Sequence, residues 1–255
     1  MRPIVVKVGG STLGSHDTAL EDVASLHAQG RPVVIVHGGG SAATEWLKVH
    51  GVASEFIDGL RVTGPEAIDV VVAVFAGLVN KGLVADLLRL GARPFGLAGP
   101  DGGVIETTQV SPRLGYVGKI TAVDPRPLDL LLTAGYLPVL APIGFWKEKP
   151  DQLMNVNADT AAGEVAAAVG ASDLVFLTDV ASVRDAAGAP ISEMTAEAVD
   201  GLIESGVASG GMIPKLRACA RAAAAGVRCS VVDGREPHIL RTVLEGKSTG
   251  TLVTA

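Results

Sequence analysis

A chain of 255 residues is long enough to bury a sizeable core, as one large domain or two small ones. With 48% hydrophobic and 19% charged residues it is too apolar for disorder, and its 32 glycines follow no collagen period. A net charge of −6 without a basic block argues against a general nucleic-acid or anionic-membrane binder.

Aromatic residues make up only 4% of the chain, so the core must come from Ala, Val, Leu and Ile. Two cysteines, Cys219 and Cys229, cannot build a disulfide framework or a zinc ribbon and read as buried thiols. The apolar run Ile4–Val6 is too short for a signal peptide. The longest apolar span, Val70–Val79, falls short of the roughly 20 residues a membrane helix needs. The expectation is a soluble, cytoplasmic protein.

In chain order, β-branched runs alternate with Ala/Leu-rich helical stretches. Strand Ile4–Val8 is followed by helix Thr18–Gln29, strand Pro32–Val36, helix Ser41–His50 and a long helix Pro65–Leu90. Strand Arg93–Leu97 leads to a hairpin within Val104–Val123, helix Arg126–Ala134, strand Leu137–Ala141 and a second hairpin between Ile143 and Met154. Helix Thr160–Val169, strand Leu174–Thr178, helices Ala196–Glu204 and Pro214–Ala225, strand Arg228–Val232 and helix Pro237–Leu244 complete the chain. Gly30, Gly91, Gly135, Gly170 and Gly226 stand where glycine ends helices. This alternation implies an α/β fold: an αβα sandwich on an open, mostly parallel sheet, with two β-hairpins added. No linker is evident, so residues 1–255 read as one domain, with two lobes of a continuous sheet dividing near residue 170.

Ligands of such sheets collect at the carboxyl ends of strands. Lys7-Val8-Gly9-Gly10-Ser11 follows the first strand and His37-Gly38-Gly39-Gly40-Ser41 the second. Glycine turns that lead into helices let backbone N–H groups approach an anion. Neither turn is a Walker A loop or a GxGxxG fingerprint. Lys7 interrupts a buried strand, and Lys215 stands in the first turn of a helix, where a cation opposes the helix dipole. An anion between that lysine and the helix end reverses the sign, so two lysines beside glycine turns suggest a polyphosphate.

Asn155, Asn157 and Asp159 alternate toward one side before the helix expected at Thr160. Asp159 is open to a capping role or to orienting the two lysines. Asp179 ends another strand, with the same capping reading and the same location at the carboxyl edge of the sheet. Arg61 offers a planar fork for a carboxylate, or else a surface ion pair. His37 reads as a packing residue, and no histidine pair has metal-ligand spacing.

The full set of strings resembles the amino acid kinase family: KVGGS at 7–11, VIVHGGG at 34–40, EFIDGLRVT at 55–63, GLAGPDGG at 96–103, QLMNVNADTAA at 152–162, LTDV at 177–180 and SGGMIPK at 209–215. GLRVT and MNVNAD set it apart from the uridylate, carbamate, aspartate and glutamate 5-kinase branches. They are similar to the branch that phosphorylates the γ-carboxylate of N-acetyl-L-glutamate in arginine biosynthesis. The resemblance implies acyl substrate on the N-terminal half and ATP on the C-terminal half from about residue 170.

Carried over by position, the resemblance makes Lys7 and Lys215 stabilisers of the transferring phosphoryl group and Asp159 their orienting carboxylate. Gly39, Gly40, Arg61 and Asn155 would bind the acyl substrate. Gly9, Gly10, the run Asp179, Val180, Ala181, Ser182, Val183 and Arg184, and the turn Val207, Ala208 and Ser209 would lie along ATP. Ser182 departs from a family position often held by glycine, and Ser41 from one often held by lysine. Mg²⁺ would arrive on the ATP phosphates, with no protein-held metal. The alternatives are a kinase of this fold acting on a carrier-linked aminoadipate, or a nucleotide-binding regulatory or storage protein without catalysis. The resemblance also implies that arginine-inhibited hexameric members carry a helix before the first strand. Since the first strand here opens at Ile4, the expectation is an arginine-insensitive homodimer.

Overall fold

The computed structural model describes residues 1–9, 18–247 and 249–255; Gly10 and Ser11 of the first glycine turn lie outside them. The chain opens with β1 (Ile4–Val8), α1 (Ala19–Ala28), β2 (Val33–His37) and α2 (Gly40–Val49), then a small hairpin of β3 (Phe56–Ile57) and β4 (Leu60–Arg61). A continuous helix of three parts follows: α3 (Pro65–Val72), a π-helical segment Ala73–Val79, and α4 (Asn80–Arg89). Next come β5 (Pro94–Ala98), the pair β6 (Ile105–Gln109) and β7 (Gly118–Val123), α5 (Arg126–Thr133), β8 (Leu137–Ala141), and the pair β9 (Ile143–Trp146) and β10 (Lys149–Asn155). The remainder is α6 (Ala158–Ala168), β11 (Asp173–Thr178), β12 (Glu193–Thr195), α7 (Ala196–Glu204), α8 (Met212–Ala224), β13 (Arg228–Asp233), α9 (Ile239–Leu244) and β14 (Thr251–Thr254).

Eight strands form one sheet in the order β12-β14-β13-β11-β1-β2-β8-β5. Six run parallel; β14 pairs antiparallel to β13 and carries β12 with it. β1 and β2 read as near-continuous hydrophobic runs, broken by Lys7 and His37 near their carboxyl ends, because helices cover both faces of the sheet. One core cluster packs Val5, Val34 and Phe176 against α6 and α8, and another packs Val6, Ile35 and Val175 against α1 and α4. The expected hairpins are present, and they join in a second sheet of order β10-β9-β6-β7. Strands from beyond residue 170 pair directly with β1, so the two halves share one sheet. Gly30, Gly91, Gly135, Gly170 and Gly226 all take left-handed φ after helices, as expected.

Three expectations need correction. β3, β4, β12 and β14, each two to four residues long, are too short for a period to register. Helix α6 starts at Ala158 rather than Thr160, and its cap is Asn157, whose Oδ1 accepts from the N–H groups of Asp159 and Thr160. Asp159 is therefore released from capping. Asp179 caps nothing either, since a turn and not a helix follows β11.

The long helix, Pro65–Arg89, forms as expected to within one residue, but its apolar stretch extends beyond Val70–Val79. It spans 25 residues, and an 18-residue stretch of it has a mean hydropathy of 1.9, enough by length and composition to cross a membrane. Here it packs against α2, β5, β8 and β10.

Candidate active site

β1, β2 and β11 end side by side because they run parallel in register, with Val8 opposite both His37 and Leu177. Their carboxyl ends bring Lys7, Gly38 and Asp179 to one edge of the sheet, at the point where connections leave β1 in opposite directions. Helix α6 and helix α8 then deliver Asp159 and Lys215 over that edge. The Asp159 carboxylate lies between two ammonium groups, with Lys7 Nζ 2.7 Å from Oδ1 and Lys215 Nζ 3.0 Å from Oδ2. All three side chains are about nine-tenths buried, so each charge depends on the others. Lys215 also sits 5.0 Å above the Phe176 ring.

Burial pushes the Lys7 ammonium below its ordinary value, against the pull of Asp159, and the neighbouring Lys215 adds to the depression. Burial works against the Asp159 carboxylate too, but Lys7 and Lys215 together outweigh it and hold its pKa low. The triad is one negative charge between two positive ones, with a surplus of positive charge to offer an anion. That surplus accounts for a lysine in the first turn of α8.

Two cavities flank the triad, joined by a channel along it. The smaller, about 210 Å³, is lined by Lys7, Gly38, Gly39, Gly40, Arg61, Asn155, Asn157 and Asp159, with Leu60, Phe75 and Val117 among its apolar walls. The larger cleft, about 710 Å³, takes in every expected nucleotide residue of Asp179–Arg184 and Val207–Ser209, together with Asp185, Met212 and Arg235. A channel lined by Lys7, Gly9, Asp159, Thr178, Asp179, Gly211 and Lys215 borders both. Ser182 is accommodated, because its backbone does not adopt the positive φ that would demand glycine.

Arg61 is 6% exposed, so it is not a surface ion pair. Its guanidinium donates to Ser54 Oγ (2.7 Å), Gly40 O (2.7 Å) and Thr44 Oγ1 (2.8 Å). It also lies 4.7 Å from the Phe56 ring centre. These contacts hold the fork in place at the cavity wall and leave N–H donors for a ligand. Asn155 donates to Thr63 Oγ1 at 2.9 Å, and Thr63 donates in turn to Arg61 O. His37 is fully buried; its Nδ1 faces Gly38 O at 2.7 Å and its Nε2 faces Asn80 Nδ2 at 3.1 Å. That arrangement suits a neutral ring, and burial lowers its pKa from 6.5 to about 4. The packing role expected for it holds.

Thr44 and Ser54 carried no sequence signal, because Arg61 lies 17 and 7 residues away, and Thr63 stood in the GLRVT string without any sign of its bond to Asn155, 92 residues on. Arg235 follows the end of β13, where the strand-end criterion that picks out Asp179 applies equally. Cys219 and Cys229 are buried and unpaired by any disulfide.

A mostly parallel sheet with a glycine turn at its carboxyl edge and a Lys–Asp–Lys triad between a small cavity and a larger cleft defines a class. The family model for the amino acid kinase family matches residues 2–233, and the chain belongs to that family. Within it, the chain is 47% identical to an acetylglutamate kinase of Geobacillus kaustophilus over 251 residues, covering 97% of this chain and 92% of the relative. It is 42% identical to an acetylglutamate kinase of Dehalococcoides mccartyi over 255 residues, covering 98% and 94%. Among solved structures, smu.665 of Streptococcus mutans superimposes with a TM-score of 0.86 at 31% identity, over 99% of this chain and 98% of that one.

Proposed function

We infer that this chain transfers the terminal phosphoryl group of ATP to the γ-carboxylate of N-acetyl-L-glutamate, giving the acyl phosphate and ADP, a step of arginine biosynthesis. The observation that carries this reading is the Asp159 carboxylate held between Lys7 and Lys215 in the channel that borders both cavities. The acceptor carboxylate, with an ordinary pKa near 4.3, is ionised at neutral pH and is already a nucleophile. No general base is needed, which accords with the neutral, packed His37.

What the transfer needs is alignment and neutralisation of charge. Lys7 and Lys215 supply cationic donors at the transferring group, and Asp159 orients both. Gly39, Gly40, Arg61 and Asn155 bind the acyl substrate; Gly9, Asp179 through Arg184 and Val207 through Ser209 line the nucleotide. Mg²⁺ adds neutralisation as cargo of the phosphates. Among the described residues no three His, Cys, Asp or Glu side chains converge on a site of their own. On this reading residues 1–255 act as one catalytic domain, with acyl substrate on the N-terminal half and ATP on the C-terminal half.

We further propose a cytoplasmic homodimer. Ala73 and Leu78 of the long helix remain exposed beside the sheet edge β5, where Phe95 is exposed too. ADP release, measured with N-acetylglutamate, glutamate, aminoadipate and aspartate, tests the substrate. Turnover with N-acetylglutamate alone is expected. Turnover with none of the four would favour a carrier-linked substrate or a protein that binds nucleotide without catalysis.

A further inference from the structure

The long helix buries Ala67, Ile68, Val71, Val74 and Phe75, and then Asn80, Leu83 and Leu87. Steps of three and four are those of an α-helix, but the step from Phe75 to Asn80 is five, and the π-helical segment supplies it. One helix thereby serves two walls. Past the step, the buried Asn80 amide donates to Val139 O at 2.8 Å and faces His37, which pins α4 to the sheet. Before it, Phe75 is set down on the glycine turn. A Cβ at Gly39 would lie 2.8 and 2.9 Å from two atoms of the Phe75 ring. A side chain at residue 39 and this ring exclude one another.

Phe75 lines the smaller cavity but not the channel bordered by Lys7, Gly9 and Lys215. It is therefore away from the phosphoryl end. An N-acylglutamate carries two carboxylates and one apolar group. With the γ-carboxylate at Lys7 and the other carboxylate at Arg61, the acyl tail remains for the apolar wall. Among the described residues, the only aromatic side chain in that wall is Phe75. We propose that Phe75, placed by the π-helical step against Gly39, limits the length of the N-acyl group the site accepts. It is a positioning residue for specificity and takes no part in the transfer itself. π-Helical turns are costly and concentrate at functional sites, which fits a device that places one ring.

This inference rests on reading the smaller cavity as the acyl-substrate site, and the test separates the two. kcat/KM is measured for the N-acetyl, N-propionyl and N-butyryl derivatives of glutamate with wild type, Phe75→Leu and Phe75→Met, each checked by thermal melting. Wild type is expected to favour acetyl over butyryl by about tenfold or more, the discrimination that one or two methylenes allow. The variants should narrow that ratio about tenfold with the KM for ATP unchanged. If wild type turns over N-acetyl and N-butyryl derivatives equally well, or if both variants lower all three in parallel, the role of Phe75 is overturned. If wild type turns over none of them, the substrate reading itself fails.

Discussion

At the scale of single residues, the buried triad dictates which losses matter. Removing Lys7 or Lys215 takes a donor from charge that develops in the transition state and leaves Asp159 with one partner. Lys7→Ala and Lys215→Ala should each lower kcat by about 10²–10³ while changing the KM for N-acetylglutamate far less. Steady-state kinetics within threefold of wild type for either variant would remove that residue from the mechanism. His37 makes a separate prediction about stability. Its folded pKa of about 4 lies below its ordinary 6.5, so between those values the unfolded chain binds a proton that the folded chain refuses. The contribution is intact above about pH 6.5 and is lost as pH falls toward 4, on the order of 3 kcal/mol. Urea unfolding on either side of this window should show the loss, and His37→Gln, which has no such proton to take, should show less of it. Equal losses in both proteins would contradict the assignment.

At the scale of elements, α6 and α8 must cross closely for Asp159 and Lys215 to meet at 3.0 Å. Gly163 makes the crossing possible, since a Cβ there would lie 2.8 Å from Ala218 O and 2.9 Å from Ala218 Cα. Gly163 stands one turn beyond Asp159, and Ala218 one turn beyond Lys215, so a wedge at the crossing acts directly on the pair. Gly163→Leu should force the helices apart at a cost of about 1–3 kcal/mol or more, lowering both Tm and kcat. Gly163→Ala should show the same effects at smaller size. A folded Gly163→Leu variant with wild-type kcat would show that helix spacing does not hold the triad. The long helix illustrates the opposite device, in which one π-helical step redirects a single face to two neighbours.

At the scale of the whole molecule, the edge strand β5 and the exposed flank of the long helix form one side of the sheet. Isologous dimers are the commonest closed assembly. Light scattering behind size exclusion should therefore give twice the chain mass of 25.9 kDa. A monomer at micromolar concentration, or a hexamer, would refute the proposed dimer.

The parallel strands, their intervening helices and both hairpins could be read from the chain, because continuous apolar runs and glycine stops are local properties. The lysines at 7 and 215 were visible for the same reason: a charge inside a buried strand, or against a helix dipole, is a local contradiction that invites an anion. The cap at Asn157 in place of Asp159 was not, since the two differ only in which side chain turns back on the helix. Nor were the Thr63–Asn155 and Arg61–Thr44 bonds, the crossing of α6 over α8, or the seat of Phe75 on Gly39. Residue types, spacing and strand ends determined the fold class and where chemistry could gather. The tertiary structure alone decided which distant groups touch, because packing and burial, acting between residues as far apart in the chain as Lys7 and Asp159, set distances that no local pattern encodes.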